Sequence, residues 1–547
     1  MEHIIETKVC KQCQIDFSIT DKDLEFYEKV SPIFDGEKQP IPAPTLCPRC
    51  RAQRRLTFRN ERNLYKRKCD ATGEDIISIY SPDSPYKIYN ANFWWSDRWD
   101  PMSYGRDFDF SRPFFDQFKE LLLDIPKASF MSSVQNEWCE FVNYSSWSKN
   151  CYLVFESDNN QNLFYSSNTF FSNNSLDTSY CERINNCYNC IYCKDSSSCI
   201  SCINCINCEH CVWCNDIKNK KYCIENVQYT KEEYEEKLPK YLKKTQWGQL
   251  KYIGINKCND GHNNESVSGN YIWESKNITT GFDIQNSKDC KYVSNLENSK
   301  DCYDVHGYGW EFGMSLIYEA HTAGNGCYKT SFTNCLFQEC KESYYSDICN
   351  DVSYIFWCAG IRNKKYCILN KQYTKQEYEA LVPKIIKHMK KTWEWWEFFP
   401  ASLSPFGYNE TLANEYFPLS ESQARKKWFD WSTYEAPFPK VEKIIPADKL
   451  PNSIEDIPDD ILAWAIECET TGKPFRIIKP ELEFYRKHNL PIPKKHPNQR
   501  HLDRMNARNP REIYERSCDK CSKDIESTYS KEREETVYCE ECYNKEI

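Results

Sequence analysis

The chain lacks the sequence features of several common protein classes. No apolar run approaches 18 residues, and the first ten residues carry charges at Glu2, Glu6 and Lys8 without an apolar leader. We therefore predict neither a membrane span nor a secretion signal, and we expect a cytoplasmic protein. Only 16 of the 547 residues are glycine. No phosphate loop, dinucleotide-binding glycine pattern or nucleophile–base constellation is present, so we expect no enzymatic activity.

Cysteine and aromatic residues are abundant instead. The chain contains 32 cysteines and 15% aromatic residues, and its formal net charge is −9. Outside the secretory pathway cysteines stay reduced or bind metals, so we expect thiols and metal ligands rather than disulfides. The length of 547 residues is sufficient for about three to five domains.

The two ends of the chain are copies of each other. Residues 47–93 align without a gap with residues 496–542, at an offset of 449. Upstream, the sequence Leu-Glu-Phe-Tyr at 24–27 recurs at 482–485, at an offset of 458. This duplication predicts two related units, one at each end of the chain.

Each copy carries one complete set of four cysteines with the spacing of a zinc ribbon. Two residues separate the cysteines of each pair, so that one tight turn supplies two thiolates to a tetrahedral Zn²⁺. Four-cysteine sites are closed, so we expect two structural zinc ions per chain and no catalytic zinc. The predicted ligands are Cys10, Cys13, Cys47 and Cys50 in the first copy, and Cys518, Cys521, Cys539 and Cys542 in the second.

Each copy also retains an incomplete set that cannot bind zinc. We expect the cysteines left in these sets, Cys69 and Cys468, to pack in small cores without a metal. The residues aligned with the second complete set are Cys69, Thr72, Asn90 and Phe93, and those aligned with the first are Cys468, Thr471, His496 and Gln499.

A strongly basic segment begins at the second cysteine pair of the first set. Nine basic residues and one acidic residue lie between Cys47 and Cys69, with Phe58 and Tyr65 interleaved. Arginine forks suit phosphate oxygens and aromatic rings suit unpaired bases, which favours nucleic acid, RNA in particular. The alternative is that these arginines pair with acidic residues of this chain or of a partner protein. The predicted nucleic-acid-binding residues are Arg49, Arg51, Arg54, Arg55, Arg59, Arg62, Lys66 and Arg67.

One run in this segment resembles a family signature. From residue 45 to residue 65 it reads Thr-Leu-Cys-Pro-Arg-Cys-Arg-Ala-Gln-Arg-Arg-Leu-Thr-Phe-Arg-Asn-Glu-Arg-Asn-Leu-Tyr. It is similar to a signature of zinc-ribbon and β-solenoid proteins encoded by small-genome bacteria of the candidate phyla. The resemblance extends over most of the chain, to the Glu-Glu-Cys at 540–542, and it implies no established activity.

The middle of the chain has a three-residue rhythm of small side chains. Ten positions spaced three apart, from Cys187 to Cys214, carry nine cysteines and one serine, and the rhythm extends back to Cys139. A stronger period of 12 is superimposed on it. A fixed period predicts a solenoid, and a coil of about 12 residues encloses so thin a core that only small side chains fit. A 24-residue coil with two matching halves is the alternative.

Iron–sulfur chemistry is the rival interpretation of this rhythm, because Cys-x2-Cys-x2-Cys is the spacing of ferredoxins. Against it, the same positions hold residues such as Ser196 and Ile217, which are not useful cluster ligands. We therefore predict a core ladder of thiols, and an iron–sulfur redox protein is the least favoured function.

A second duplication, at an offset of 144, places a helix after each solenoid. Capping boxes at Thr230-x-x-Glu233 and Thr374-x-x-Glu377 open helices that are predicted to run to Pro239 and past Pro383. We expect each helix to close an open end of a solenoid and to shield its strand edges. The second solenoid is less regular around 307–326, where four residues are expected to be exposed: His306, Glu311, Glu319 and His321.

The predicted fold is therefore mainly β and multidomain, with two narrow solenoids lined by cysteine and serine and flanked by duplicated zinc ribbons. The most favoured function is a zinc-binding scaffold for nucleic acid or a ribonucleoprotein. The alternative is a protein-interaction scaffold that uses the acidic first solenoid, since residues 130–216 hold nine acidic and three basic residues. The predicted order is a ribbon unit (1–95), an aromatic-rich helical linker (96–129), a first solenoid with its capping helix (130–248), a second solenoid with its capping helix (249–392), an aromatic and proline-rich connector (393–465) and the second ribbon unit (466–547).

Overall fold

Parallel β-solenoids dominate the structure, a computed structural model that describes residues 2–131, 135–243, 254–437 and 440–546. About 18 solenoid turns and a four-cysteine group towards each end of the chain confirm the predicted mainly β fold. The two solenoids lie side by side. The ring of Tyr192 in the first stacks on Tyr271 of the second at a centroid distance of 3.7 Å. The hydroxyl of Tyr308 donates to Glu156 across the same seam, at 3.1 Å.

The N-terminal unit consists of short hairpins and helices around the first cysteine set. Helix α1 begins with a capping box formed by Thr20 and Asp23, and it buries Phe26 against the second solenoid, where the ring stacks on Tyr303 at 3.7 Å. With the linker that follows, the unit contains β1 (Ile4–Val9), β2 (Asp16–Thr20), α1 (Asp21–Val30), β3 (Ile33–Phe34), β4 (Glu37–Lys38), α2 (Pro48–Leu56), β5 (Tyr65–Lys68), β6 (Asp75–Ser78), β7 (Ile88–Tyr89), α3 (Ala91–Trp94), a 3₁₀ helix (Pro101–Tyr104), α4 (Phe114–Asp124) and β8 (Lys127–Ala128).

Each turn of the first solenoid contains 12 residues, which excludes the 24-residue alternative. Parallel bridges join residues 12 apart, as Cys211 joins Cys223. Every third residue from Gln135 to Glu225 has a positive φ between 46 and 59°. These left-handed residues form the corners of a coil with four short faces. Its elements are β9 (Glu140–Asn143), β10 (Tyr152–Phe155), β11 (Gln161–Phe164), β12 (Ser167–Phe170), β13 (Asn173–Leu176), β14 (Ser179–Glu182), β15 (Glu209–Val212), β16 (Lys221–Ile224) and β17 (Val227–Gln228).

Asparagine ladders support the strained corners. A left-handed conformation costs roughly 1–2 kcal/mol for most residues, and asparagine tolerates it best. The side-chain amide of Asn150 donates to Asn162 at 2.7 Å, and Asn162 donates to Asn174 at 2.8 Å. These asparagine side chains thus bond to the equivalent side chain in the next turn, which stabilises the regular stack.

The thin core of the first solenoid is a ladder of thiols. The cysteines of this ladder are almost completely buried, and each thiol donates to backbone carbonyl groups of the coil. The Cys202 thiol, for example, lies 3.5 Å from the carbonyl oxygen of Ile200 and 3.4 Å from that of Cys211. Ser196 makes the same two kinds of contact through its hydroxyl. The rhythm read from the sequence is therefore a packing requirement of a coil this narrow.

The second solenoid has the same construction with extra residues in three turns. Bridged residues are 12 apart from Lys288 to Lys300, 15 apart from Lys300 to Ser315, and 13 apart from Ser315 to Tyr328 and from Tyr328 to Lys341. The first two insertions lie in the irregular stretch predicted around 307–326, and the third follows it. Its strands are β18 (Ile255–Lys257), β19 (Gly261–His262), β20 (Glu265–Trp273), β21 (Lys276–Gln285), β22 (Lys288–Glu297), β23 (Lys300–Tyr308), β24 (Ser315–Ala320), β25 (Ala323–Asn325), β26 (Tyr328–Gln338), β27 (Lys341–Tyr344), β28 (Asp347–Phe356), β29 (Arg362–Ile368) and β30 (Lys371–Gln372).

Both predicted helices follow their solenoids and begin with the predicted capping boxes. They are α5 (Lys231–Lys243) and α6 (Lys375–Lys391), and they bury Tyr234 and Tyr378. Helix α5 continues past Pro239, where the sequence predicted its end. The boundary predicted between residues 248 and 249 lies outside the described residues.

The connector and the C-terminal unit complete the chain. No helix within the described ranges is long and apolar enough to cross a membrane. The remaining elements are α7 (Leu412–Tyr416), α8 (Glu421–Lys426), β31 (Ile444–Pro446), β32 (Ala465–Glu467), β33 (Pro474–Phe475), α9 (Lys479–Lys487), α10 (Pro497–Ala507), β34 (Tyr514–Ser517), β35 (Asp524–Ser527), β36 (Thr536–Tyr538), α11 (Glu540–Glu546) and 3₁₀ helices at Ala401–Leu403, Tyr408–Glu410, Ala447–Lys449, Ile454–Asp456 and Asp459–Ala463.

Candidate metal centres and arginine clamps

The first four-cysteine set converges at the junction of the β1–β2 hairpin and helix α2. Cys10 and Cys13 lie in the tight turn after β1, which Gln14 closes with a φ of 62°. Cys47 is the N-cap of α2, and its N–H donates to the Cys10 sulfur at 3.3 Å. Cys50 follows in the first turn of α2. All four sulfurs lie within 4.8 Å of one another.

The second set converges in the same way at the other end of the chain. Cys518 and Cys521 lie in the turn between β34 and β35, while Cys539 and Cys542 lie at the start of α11. The N–H of Cys539 donates to the Cys518 sulfur at 3.2 Å. These four sulfurs also lie within 4.8 Å of one another.

The spacing of the sulfurs fits a tetrahedral metal. Four sulfurs at about 2.3 Å from a zinc ion lie about 3.8 Å from one another. The Cys13 and Cys47 sulfurs are 3.7 Å apart, and the Cys521 and Cys539 sulfurs are 3.8 Å apart. The two sets could therefore hold a metal ion.

The surroundings also favour thiolates at one position of each set. Hydrogen bonding from Cys50 lowers the pKa of Cys47 to about 5. At Cys518 burial opposes ionisation, but N–H groups of Cys539, Cys521 and Lys520 outweigh it and lower the pKa to about 6. Thiolate is the form of cysteine that binds metal.

The incomplete sets keep their shape without converging on a metal. The Cys69 sulfur accepts the N–H of Asn90 at 3.2 Å, as the Cys518 sulfur accepts that of Cys539. In the C-terminal copy, His496 uses its ring nitrogen to cap helix α10. Cys69 and Cys468 are both 2% exposed. Both pack in apolar clusters, but the cluster around Cys468 is large and includes residues of the first solenoid, in contrast to the small core expected for it.

The first part of the basic segment folds as helix α2, and most of the arginines in and just after this helix are buried. Arg51, Arg54 and Arg55 are 1%, 9% and 2% exposed, and Arg59, just beyond the helix, is completely buried. Buried arginines need carboxylate partners, because an unpaired charge is costly to remove from water. Those partners come from the second solenoid, the connector and the seam between the solenoids.

Asp304 in the second solenoid forms ion pairs with two arginines of helix α2. It is a left-handed corner residue with a φ of 57°. Its carboxylate lies 2.8 Å from the Arg51 guanidinium and 3.4 Å from that of Arg55. Glu319, in an adjacent turn, lies 3.0 Å from Arg54 and 2.9 Å from Arg55. We call Arg51, Arg55 and Asp304 the N-terminal clamp.

The C-terminal copy repeats this contact on the first solenoid. Arg500 and Arg504 on α10 are the counterparts of Arg51 and Arg55 at the offset of 449. They lie 2.6 Å and 2.7 Å from Asp177, another corner residue, with a φ of 56°. We call Arg500, Arg504 and Asp177 the C-terminal clamp. Each end of the chain thus holds the solenoid that is more distant from it in sequence.

The next pair of equivalent arginines lies in the seam between the solenoids. Arg59 stacks over Tyr144 at 4.1 Å, pairs with Glu156 at 2.9 Å and donates to Thr322 of the second solenoid at 3.1 Å. Its counterpart Arg508 stacks over Tyr180 of the first solenoid at 3.7 Å and lies 3.7 Å from Asp283 of the second. Both copies therefore use arginine to fix the solenoids to each other.

Nucleic-acid binding by Arg51, Arg54, Arg55 and Arg59 stays a prediction, and the structure favours the internal-pairing alternative. Their guanidinium groups are buried and paired with carboxylates of the same chain, as the internal-pairing alternative proposed. A phosphate could reach them only if these ion pairs were broken and the unit were lifted off the solenoid.

The other predicted nucleic-acid residues differ in their exposure. Arg62 is half-buried over Phe155 at 4.7 Å, and Arg67 donates to the Ser81 carbonyl at 2.9 Å. Arg49 and Lys66 are exposed, and Arg49 bonds Glu512 of the second unit at 2.7 Å.

Three of the four irregular-loop residues are buried instead of exposed as predicted. Glu319 belongs to the arginine network described above. His306 and His321 are buried with their rings parallel, 6.3 Å apart, and His306 lies beside Glu156 and Tyr180 of the first solenoid. Burial lowers the pKa of both histidines well below the usual value. Glu311 is exposed, as predicted.

Sequence reasoning missed Asp177 and Asp304, the carboxylates that fix the clamps. The repeated arginine spacing in both copies was visible as a signal of a shared contact. Nothing in the sequence identified which of the many corner residues lies opposite, because the partners are more than 200 residues away along the chain.

Comparison of the chain with descriptions of known protein families and with functionally curated proteins finds no match. The resemblance of residues 45–65 to a zinc-ribbon signature stays a prediction. The function is therefore argued from the geometry of the chain itself.

Proposed function

We propose that this protein is a non-enzymatic, zinc-stabilised scaffold that binds other proteins in the cytoplasm. The observation that carries the proposal is the burial of Arg51, Arg55 and Arg59 in ion pairs within the chain. The basic segment, which was the main sequence evidence for nucleic-acid binding, thereby stabilises contacts within the chain. A protein partner does not require those arginines.

The two cysteine sets support a structural role for zinc. Their ligands are all sulfur and their separations fit a closed tetrahedron, which leaves no position for a substrate or a reactive water. Each set joins a hairpin to the start of a helix. Zinc would therefore fix the orientation of α2 and α11, and through α2 the N-terminal clamp.

The charges of the first solenoid favour a neutral binding surface over an acidic one. Its carboxylates at Glu156 and Asp177 are buried against arginines of the terminal units. Surface carboxylates pair with lysines one turn away: Glu137 with Lys149, Glu182 with Lys194, and Glu209 with Lys221. The negative charge of this stretch is thus largely compensated by arginines and lysines, which argues against an acidic binding face on the first solenoid.

Purification of the tagged chain from its source cell, with and without nuclease, tests the proposal. We expect a protein partner in stoichiometric amount that remains bound after treatment with ribonuclease and deoxyribonuclease. The Asp304→Asn variant, which we expect to be less stable, is purified in the same way as a control for contacts made by partly unfolded protein. Loss of all partners on nuclease treatment, or stoichiometric nucleic acid in the untreated sample, would overturn the proposal in favour of nucleic acid.

A further inference from the structure

The duplicated units contain equivalent hairpins whose outer edges differ. In the N-terminal unit β1 pairs with β2, so that Lys8 faces Phe17. In the C-terminal unit β32 pairs with β33, and Ile466 faces Phe475. These pairs correspond residue by residue at the offset of 458. The two hairpins can therefore be compared position by position.

A third strand covers the outer edge of the C-terminal hairpin. Strand β31 runs parallel to β32, with Ile444 opposite Ala465 and Ile445 opposite Ile466. The N–H of Ala465 donates to the carbonyl of Lys443 at 2.9 Å. Ile445 packs against the apolar core of this unit, and Pro446 ends the strand.

The same edge of the N-terminal hairpin is uncovered. Within the described residues β1 pairs with β2 alone. Its apolar side chains are unusually accessible: Ile4, Ile5 and Val9 are 65%, 58% and 57% exposed, and Ile15, at the turn, is 64% exposed. Thr7 occupies the position of Ala465, so its N–H corresponds to the one that bonds β31 in the other copy.

Such an edge is a template for another strand. Proteins normally protect exposed edges with charges, prolines or a covering segment. Here the protecting segment is present in one copy and missing from the other, and aliphatic side chains line the edge that lacks it. The internal duplicate thus shows what kind of segment the edge accepts.

We propose that the outer edge of β1 binds an extended segment of a partner protein with two aliphatic residues followed by proline. The segment runs parallel to β1 with its aliphatic pair opposite Thr7 and Lys8, and the Thr7 N–H donates to the carbonyl that precedes the pair. Strand addition of this kind takes affinity from main-chain hydrogen bonds and specificity from alternate side chains. This assignment rests on the proposed function as a protein-binding scaffold and names the partner chemistry.

The chain supplies its own probe. A fluorescein-labelled peptide with the sequence of residues 441–448 (Val-Glu-Lys-Ile-Ile-Pro-Ala-Asp) contains the segment that covers the C-terminal edge. In the intact protein β31 already occupies the edge of the C-terminal hairpin, so the peptide should bind at β1. Fluorescence anisotropy with the full-length, zinc-loaded protein should show saturable binding with one site per chain. A peptide with glutamate in place of both isoleucines should not bind.

Variants of β1 test the location. Thr7→Pro removes the outward N–H, and Ile5→Lys adds a charge to the edge; each should weaken peptide binding by at least about tenfold. Ile33→Lys is the matched control, because Ile33 is 52% exposed on another strand, and its affinity should equal that of the wild type. Retained zinc content and an unchanged circular dichroism spectrum show that each variant is folded. Ile5→Lys keeps the test valid if Thr7→Pro misfolds.

Three outcomes would overturn the proposal: no saturable binding to the wild type, equal binding by wild type and Ile5→Lys, or a wild-type dimer that Ile5→Lys dissociates. The last result would assign the edge to a second copy of this chain. A nuclease-resistant partner that still binds Ile5→Lys would reject this edge and leave the scaffold function standing. Loss of every protein partner after nuclease treatment would instead reject the scaffold function.

Discussion

Asp304 and Asp177 are both corner residues of a solenoid, and each lies against two arginines from the end of the chain that is more distant in sequence. The N-terminal unit holds the second solenoid and the C-terminal unit holds the first. This reciprocal arrangement fixes both solenoids through contacts between residues more than 200 positions apart. The clamps are thus the long-range contacts on which the architecture depends.

Removing the charge of either clamp aspartate should destabilise the protein strongly. Asp304→Asn removes the closest carboxylate of Arg51 and leaves Arg55 with Glu319 alone. Breaking a buried ion pair costs about 3–5 kcal/mol. We expect a clear decrease in the urea midpoint for Asp304→Asn and for Asp177→Asn. Asp195→Asn is the matched control: it removes an exposed pair with Arg183 and should cost less than about 1 kcal/mol. An Asp304→Asn midpoint equal to that of the control would contradict a structural role for the clamp.

Metal analysis should find two zinc ions per chain, bound at the two complete sets. Cys13→Ser and Cys521→Ser should each lose one equivalent, because each removes one of four ligands. Cys69→Ser should keep both, since Cys69 belongs to an incomplete set. Elemental analysis by mass spectrometry measures the zinc, iron and sulfur content together. Stoichiometric iron with labile sulfide would contradict the description of the solenoid cysteines as a thiol ladder.

The cysteine ladder should tolerate serine and reject large side chains. Cys202 is completely buried, and its thiol contacts two carbonyl oxygens, a role that Ser196 fills with a hydroxyl. Cys202→Ser should therefore lower the free energy of unfolding by no more than about 1–2 kcal/mol. Cys202→Phe should prevent folding or expose the core, because the coil has no space for a ring. A folded Cys202→Phe protein with an unchanged circular dichroism spectrum would contradict the narrow-coil description.

Stability should depend on pH through Asp158. Burial raises the pKa of this carboxyl to about 7 from the ordinary value of 3.8. Because the folded-state pKa is the higher one, folding favours the protonated form, and stability falls as pH rises from about 4 through about 7. Asp158→Asn removes this dependence, so the variant should gain roughly 2–4 kcal/mol on the wild type between pH 4.5 and pH 8.

The control for this prediction is Asp195→Asn. A hydrogen bond from Arg183 lowers the pKa of Asp195, so its contribution is present above pH 4 and disappears only in acid. Thermal unfolding of the three proteins at both pH values measures the difference. A constant stability difference between Asp158→Asn and wild type across this range would show that Asp158 is ionised throughout.

Local features of the fold were predictable because they depend on residues close in sequence. The spacing of Cys10 and Cys13 defines a metal-binding turn, and Thr374 and Glu377 define a helix start. The 12-residue period defines a coil that only small side chains can fill. Each of these patterns carries its physical reason within a short stretch of chain.

Long-range relationships could not be read in the same way. The spacing of Arg51 and Arg55 is the same whether they bind phosphate or a carboxylate, so the sequence left both interpretations open. The partner Asp304 differs from other corner aspartates only in what lies opposite to it after folding. The exposed edge of β1 could not be predicted for the same reason. The alignment shows that β1 corresponds to β32, but it does not show that β31 covers the edge of β32 and that no strand of the described residues covers the same edge of β1.

The most direct test of the central claim, that the basic segment is internal architecture, is an RNA-binding titration of the full-length protein. Fluorescence anisotropy with a labelled single strand of about 20 nucleotides, at about 50 and 200 mM salt, measures affinity and its salt dependence. At the higher salt concentration we predict no RNA binding at protein concentrations below about 10 µM, because dissociation constants of this size are typical of non-specific association. Submicromolar binding that a folded Arg54→Glu, Arg55→Glu variant loses would contradict this account.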